Sequence, residues 1–333
     1  MHFAVHQEVA NKLIAAYHGE EPLANYLKKY FAANKKHGSK DRKNITALCY
    51  AHYRNEANTF PLADKISAQI DMGKFVASHQ IQPLLFIRIR PWQKEKVVQK
   101  LQAANIEYQV LAENTFAFAN TTQLQNVLEL NKEAVIQDFN SQAIGELLKL
   151  VPTSMEQPIQ VWDACAASGG KTILMFDTMS NIRMHLSDIR ESILYNADKR
   201  LQEAGIRPAS VQEIDLTQAF DIKKPFDFVF ADVPCSGSGT WGRTPEQLAY
   251  FKEAQLNKYT QLQAKILRNI IPAVKLNGHL LFATCSVYAA ENENNVEALV
   301  ATGKFKVVQQ QYFIGYEKHA DTLFGALLEK IAE

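Results

Sequence analysis

From residue 133 onward the chain repeats one pattern: a short apolar run, a helical stretch, then another apolar run. The runs are IQVWDA (159–164), MHLSD (184–188), VQEID (211–215), FDFVFAD (226–232) and HLLFAT (279–284). Short runs of this kind, without polar alternation, read as strands buried on both faces. Strands covered on both faces belong to a parallel sheet, whose neighbours need long crossovers, and the intervening helical stretches supply them. The pattern therefore predicts an α/β, Rossmann-like unit over residues 133–333, with KFKVVQQQ (304–311) and DTLFGALLEK (321–330) as its closing edge strands. In such sheets ligands sit at the carboxyl ends of the strands. The chemically distinctive residues of this chain fall just there.

Upstream, the periodicity differs. Residues 1–78 carry apolar residues at helical spacing, as in Leu23, Leu27 and Phe31, and in Ile45, Leu48, Cys49, His52 and Tyr53. Between residues 28 and 54 there are eight Lys or Arg against one acid, Asp41. Lys35, Lys36, Lys40, Arg42 and Lys43 form its densest part, a candidate footprint for RNA phosphates. Residues 79–132 read as a small α+β module in the order βαββα, similar to an RRM. IQPLLFIRIR is its first strand and TTQLQNVLEL (121–130) its second helix. LVPTSMEQP (150–158) is the most linker-like stretch.

The chain has 333 residues and a net charge of +1, so any RNA contact must come from local patches. No apolar run approaches the roughly 20 residues of a membrane span. The first residues lack the order of a signal peptide. A cytoplasmic monomer is expected. Cys49, Cys165, Cys235 and Cys285 form no CxxC pair. That argues against a metal site or a disulfide framework.

The first strand of the α/β unit ends in Asp163, followed by Ala164, Cys165, Ala166, Ala167, Ser168, Gly169, Gly170, Lys171 and Thr172. A P-loop would need glycine at position 165, and no GxGxxG is present. Nineteen residues after Gly169 the second strand ends in Asp188, the usual place of a ribose-hydroxyl acceptor. Asp215, after the third strand, could accept from an adenine amino group. Acids without a phosphate cradle suit S-adenosylmethionine, whose sulfonium is positive. Either acid could instead be a helix cap.

Two cysteines end adjacent strands, in Asp232-Val-Pro234-Cys235 and Thr284-Cys285-Ser286. C5 of cytosine is too weak a nucleophile to take a methyl group directly, but a thiolate added at C6 makes it enamine-like. The chemistry needs a nucleophile, an acid and a base close together. Cys285, Cys235 and Asp232 are the candidates, and spacing alone does not order them. Apolar flanks around Asp232 predict burial that favours its protonated form.

These segments resemble the RNA cytosine-C5 methyltransferase family, the NOL/NOP/Sun group that includes bacterial small-subunit rRNA enzymes. The resemblance covers nearly all of residues 133–330. It is carried by AVIQDFNSQ (134–142), DACAASGGKT (163–172), LSDIRESILYNADKRLQEAG (186–205), FADVPCSGSGTWGRTPE (230–246) and HLLFATCSVYAAENEN (279–294). It implies a class I S-adenosylmethionine methyltransferase fold, with Cys285 as nucleophile and Cys235 as the releasing residue. It also implies Lys171 facing the target base or its phosphate, Arg190 beside the ribose acid, Arg243 toward the RNA, and 16S rRNA as substrate. A tRNA substrate, or a silent assembly factor of the same fold, are the alternatives. Ser168 stands where proline is usual, Gly242 where a first arginine is usual, Glu246 for aspartate, and Ala289-Ala290 for Pro-Glu. The departures at 242, 246 and 289–290 are expected around the RNA channel.

Overall fold

The computed structural model describes residues 2–56, 59–221 and 224–333. Helices α1 (His2–Ala16), α2 (Leu23–Ala33) and α3 (Ser39–Asn55) pack together through residues at i, i+4 and i+8: Leu23, Leu27 and Phe31 of α2, and Ile45, Cys49 and Tyr53 of α3. Tyr250 joins this cluster from the α/β unit. Glu246 is wholly buried and accepts the first free N–H of α2, that of Leu23, at 3.1 Å. Helix α4 (Met72–Ser78) completes the region. Phe60, Ile70 and Phe75 pack against Trp241, Val287 and Tyr288. The N-terminal helices are thus moulded onto the α/β unit.

Strands β1 (Leu85–Ile89), β2 (Gln109–Ala112), β3 (Thr115–Phe118) and β4 (Ala134–Ile136), with helix α5 (Lys94–Ala103), form an antiparallel sheet in the order β2-β3-β1-β4. Two expectations are corrected. The segment at 121–130 is not a helix; only a 3-10 turn at Leu124–Asn126 forms there. Leu124 and Leu128 still pack inward, so a single turn buries the apolar residues that suggested a helix. Ala134–Ile136 pairs with β1, so this sheet extends past the expected boundary at 132. Arg88 and Arg90 converge on Asp177 at 2.6 and 2.7 Å. Thr115 bonds Gln142 at 2.7 Å. The sheet is thereby locked to the larger unit, and its strand aromatics Phe86, Phe116 and Phe118 are buried.

After α6 (Phe139–Ala143) and α7 (Gly145–Leu148) come β5 (Ile159–Asp163), α8 (Gly170–Thr178), β6 (Ile182–Asp188), α9 (Glu191–Glu203) and β7 (Ser210–Glu213). Then follow β8 (Phe226–Asp232), α10 (Glu246–Tyr250), α11 (Glu253–Ile270), β9 (Val274–Thr284), α12 (Glu293–Ala301), β10 (Phe305–Phe313) and β11 (Leu323–Lys330). The sheet order is β10-β11-β9-β8-β5-β6-β7. Strands β5 to β9 are parallel, and β11 lies antiparallel between β9 and β10. Of the two closing strands only β10 is therefore an edge, opposite β7; β11, apolar along nearly its whole length, is interior. Helices α6 to α9 cover one face through Ile144, Leu147, Ile173 and Leu201, while α11 and α12 cover the other through Ile266, Ile270 and Val296. The stretch at 150–158 is a loop inside this unit, with Val151 in its core. Among the described residues no helix is long and apolar enough to cross a membrane.

Candidate active site

The carboxyl ends of β5, β6, β8 and β9 converge as the parallel pattern requires. After Asp163 the chain turns sharply: Ala167 has φ +46° and Gly169 φ +78°, a conformation that favours glycine, and Gly169 lies against Ala197 of α9. The Ala164 and Ala166 N–H groups donate to Phe230 and Ser187, so the loop is tied to both neighbouring strands. Ser168 accepts from the Arg200 guanidinium at 2.9 Å through its hydroxyl and 3.0 Å through its carbonyl. A hydroxyl bonded to arginine thus stands where proline is usual.

Asp188 is nearly buried. Its carboxylate accepts from the Ala167 N–H at 3.0 Å, and from the Arg190 N–H and side chain at 3.0 Å. Asp215 accepts from the Thr217 N–H and hydroxyl at 2.9 and 2.7 Å, which hold its carboxyl below the usual range. Both acids line a cavity of about 420 Å³ with Ala164, Cys165, Ala167, Arg190, Asp232 and Pro234, walled by Ile189, Leu216, Leu262 and Ile266. A second cavity, about 290 Å³, is lined by Asp163, Ala166, Ser168, Gly170, Lys171, Asp232 and Cys285, with Asp138, Arg200, Thr240 and Asp321. The two share Cys165, Ala167 and Asp232 as a common wall. A larger hollow of about 660 Å³ lies over β5 to β7, beside Trp162 and Phe226, and contains none of these residues.

Lys171, in the first turn of α8, donates to Asp232 at 2.6 Å. Burial works to lower the Lys171 pKa, but the Asp232 carboxylate outweighs it and the net direction is up. Asp232 is not the apolar-flanked acid expected from its neighbours. Its side chain is partly exposed and ion-paired, because β8 ends there and turns it toward Lys171. Asp163 is the buried acid instead. It accepts the Thr172 hydroxyl at 2.6 Å, leaves its other oxygen unpartnered, and burial pushes it up to about 7.

The two thiols meet, Cys235 Sγ to Cys285 Sγ, at 3.3 Å. The Cys285 hydrogen bond and burial push the Cys235 thiol well above its ordinary value. Cys285 lines the second cavity. The loops carrying the thiols are held by Glu291, wholly buried at the end of a 3-10 turn. One carboxylate oxygen accepts the Ser236 N–H at 2.8 Å and Gln263 Nε2 at 3.1 Å; the other accepts the Ser236 and Ser286 hydroxyls, both at 2.5 Å. Each of these serines directly follows a cysteine. Gly239 brings the same loops against β11: its N–H donates to Cys285, its carbonyl accepts from Thr322, and a Cβ would lie 1.9 Å from the Thr322 carbonyl. The role of Glu291 was not read from the sequence. The available signal was an acid shortly after the second of two Cys-Ser pairs.

Several expected contacts lie elsewhere. Arg243 is partly exposed and ion-paired: Asp321 and Asp138 hold its guanidinium at 2.9 and 2.6 Å. The Gly242 carbonyl accepts from the buried Arg54 at 2.8 Å, a Cβ there would come within 3.2 Å of Pro83, and Glu246 caps α2, so both positions face residues upstream of the α/β unit. Lys35, Lys36, Lys40, Arg42 and Lys43 are exposed, Arg42 also donating to the His37 carbonyl. Cys49 is buried; Cys165 is half-buried in the shared wall.

The sheet order, the acid-lined cavity at its carboxyl edge and the absence of a phosphate loop define a class: the Rossmann-like methyltransferases built around S-adenosylmethionine. Residues 147–321 match the 16S rRNA methyltransferase RsmB/F family, and the chain belongs to that family. It is 28% identical over 255 residues to ribosomal RNA small subunit methyltransferase B of Xylella fastidiosa, covering 72% of this chain and 56% of that protein. The enzyme of the same name in Xanthomonas campestris is 28% identical over 171 residues, 50% of this chain and 37% of that protein. The chain thus spans about half or less of these curated relatives. NSun6 from Pyrococcus horikoshii, solved with SFG, shares the fold at a TM-score of 0.68 and 12% identity, over 85% of this chain and 98% of that one.

Proposed function

We propose that the protein transfers a methyl group from S-adenosylmethionine to C5 of a cytosine in 16S rRNA through a covalent Cys285 adduct. The observation that carries this is the pair of cavities sharing Asp232: one lined by acids and apolar walls, the other by Cys285 and the Lys171–Asp232 pair. The first fits the donor. Asp188 suits ribose hydroxyls, Asp215 an adenine amino group, and Ile189, Leu216 and Ile266 the faces of a purine. Carboxylates along the cavity suit a sulfonium. When bound, the donor supplies an electrophilic methyl group at the shared wall.

The chain's own residues do the rest. Cys285 Sγ, as thiolate, forms a bond to C6, and the displaced electron pair is taken up at N3 with a proton. The Lys171 ammonium, held by Asp232 and lining the same cavity as Cys285, is the proton source. Once Cys285 is a neutral thioether it no longer repels charge on Cys235, so Cys235 ionises more readily. C5, now enamine-like, forms its bond to the methyl group as the N3 proton returns to Lys171; Cys235 then takes the C5 proton, the C5–C6 double bond re-forms, and the S–C6 bond breaks with its electron pair returning to Cys285. Separating nucleophile from base lets each thiol be tuned for one step.

The test is methyl transfer from labelled S-adenosylmethionine to 16S rRNA from cells lacking the protein, mapped by bisulfite sequencing. A new 5-methylcytosine in 16S rRNA is expected. Label at a ring nitrogen or a ribose, or label confined to tRNA, refutes the proposal; no transfer at all favours the silent assembly factor.

A further inference from the structure

Trp92 is spent on nothing inside the protein. It follows Pro91 in the turn between β1 and α5, its side chain is 99% exposed, and its φ is +66°. A positive φ immediately after proline is the place of glycine or asparagine in a turn. A tryptophan there carries backbone strain and receives no burial in return. Strain of this kind persists where the residue does something else. The strand aromatics of the small module, Phe86, Phe116 and Phe118, are buried, and its half-buried Tyr108 is stacked on Phe116, so its strands offer no open ring.

The surroundings indicate what the ring meets. A hollow of about 760 Å³ beside it is lined by Phe176, itself 42% exposed, and by Gln93, Gln202 and Lys132. Lys94, two residues on, is also exposed. The acids at this hollow are already engaged, Asp177 by Arg88 and Arg90, Glu203 by Asn131. The Gln202 amide donates to Asp198 and Lys132 pairs with Glu129 at the surface, which leaves Gln93 and Lys94 beside the ring; an aromatic plane so rimmed suits a nucleobase, with the ring stacking, the Gln93 amide meeting the base edge and the Lys94 ammonium the backbone. The hollow also lies next to the reaction cavity. Asn131 links the two: its amide donates to Glu203 at the hollow, and its carbonyl oxygen accepts from Arg200 at the reaction cavity.

We infer that Trp92 stacks an unpaired base of the RNA strand that feeds its target cytosine into the Cys285 cavity. The inference rests on RNA being the substrate. The other two tryptophans, Trp162 and Trp241, are buried, so collisional quenching by acrylamide reports chiefly on Trp92. With the full chain and 16S rRNA transcribed in vitro, saturating RNA should quench and shield this emission. Trp92→Asn, which suits the turn, should leave the thermal midpoint and S-adenosylmethionine affinity unchanged while weakening RNA binding about 5- to 100-fold. Trp92→Phe should keep most of the affinity. The inference is overturned if Trp92 stays fully quenchable in the saturated complex, or if Trp92→Asn binds the transcript like the parent. Shielding by ribosomal particles but not by naked transcript also overturns it, in favour of a protein contact. Were the parent chain neither to bind nor to methylate any 16S rRNA, the substrate reading itself would fall.

Discussion

Glu291 offers a perturbation whose outcome can be worked bond by bond. Its carboxylate accepts four hydrogen bonds in a wholly buried site: two from nitrogen donors at one oxygen, two from serine hydroxyls at the other. Glutamine can reproduce all four. Its oxygen takes the place that faces Ser236 N–H and Gln263 Nε2, and its NH2 donates to the two hydroxyls, which rotate to accept. Burial pushes the Glu291 carboxyl up, so the charged form is held at a cost that glutamine does not carry. Glu291→Gln should therefore change stability by less than about 1 kcal/mol. Alanine reproduces none of the bonds. It strands two buried N–H donors, each costing about 1–3 kcal/mol, and leaves a cavity besides. A loss of about 3–6 kcal/mol follows. Urea unfolding at pH 7.5 measures both. A bifunctional thiol reagent such as dibromobimane measures the geometry. The parent and Glu291→Gln should cross-link Cys235 to Cys285 at similar rates, and Glu291→Ala more slowly even where it remains folded. Equal destabilisation by the two variants, or a loss below 1 kcal/mol for alanine, would refute the view that this carboxylate ties the two thiol loops.

Two further predictions follow from the same geometry. Asp163 sits near 7 when folded against an ordinary 3.8, so the folded state binds its proton more tightly and stability should rise as pH falls from above 7 toward 4. Asp163→Asn should flatten this dependence and gain stability only at high pH, by about 1–3 kcal/mol: the roughly 4 kcal/mol upper bound from the raised pKa, less the cost of an unpartnered amide donor. Denaturation midpoints at pH 5 and 8.5 that shift in parallel with the parent would contradict it. Replacing Lys35, Lys36, Lys40, Arg42 and Lys43 by Gln should weaken rRNA binding and reduce its dependence on salt, since fewer counterions are released. Cofactor affinity should not change, and an unaltered salt slope would make the run a solvated face only.

The α/β unit was legible because its central strands are buried on both faces and so carry apolar runs without polar alternation, as in FVFA (228–231). The loop after Asp163 and the two cysteines were legible because chemistry restricts the residue types that can stand there. What stayed hidden depends on partners distant in sequence. Nothing around Asp232 foretells Lys171, sixty-one residues upstream. Nor does the sequence around Arg243 foretell its partners Asp138 and Asp321, each distant along the chain. TTQLQNVLEL has helical spacing, yet two leucines find the core through a single 3-10 turn. DTLFGALLEK reads as an edge strand, but its place between β9 and β10 is a matter of topology that a local pattern does not encode.

The account stands or falls on the separate roles of two sulfurs 3.3 Å apart. The direct measurement is a denaturing gel of Cys235→Ala, Cys285→Ala and the double variant after incubation with 16S rRNA and S-adenosylmethionine. Cys235→Ala can attack and methylate but lacks the base for release, so part of it should run as a nuclease-sensitive, RNA-linked species. Cys285→Ala and the double variant should show none, and methylation should stop. An adduct formed by Cys285→Ala and not by Cys235→Ala would reverse the roles, and two active variants without any adduct would contradict the covalent mechanism.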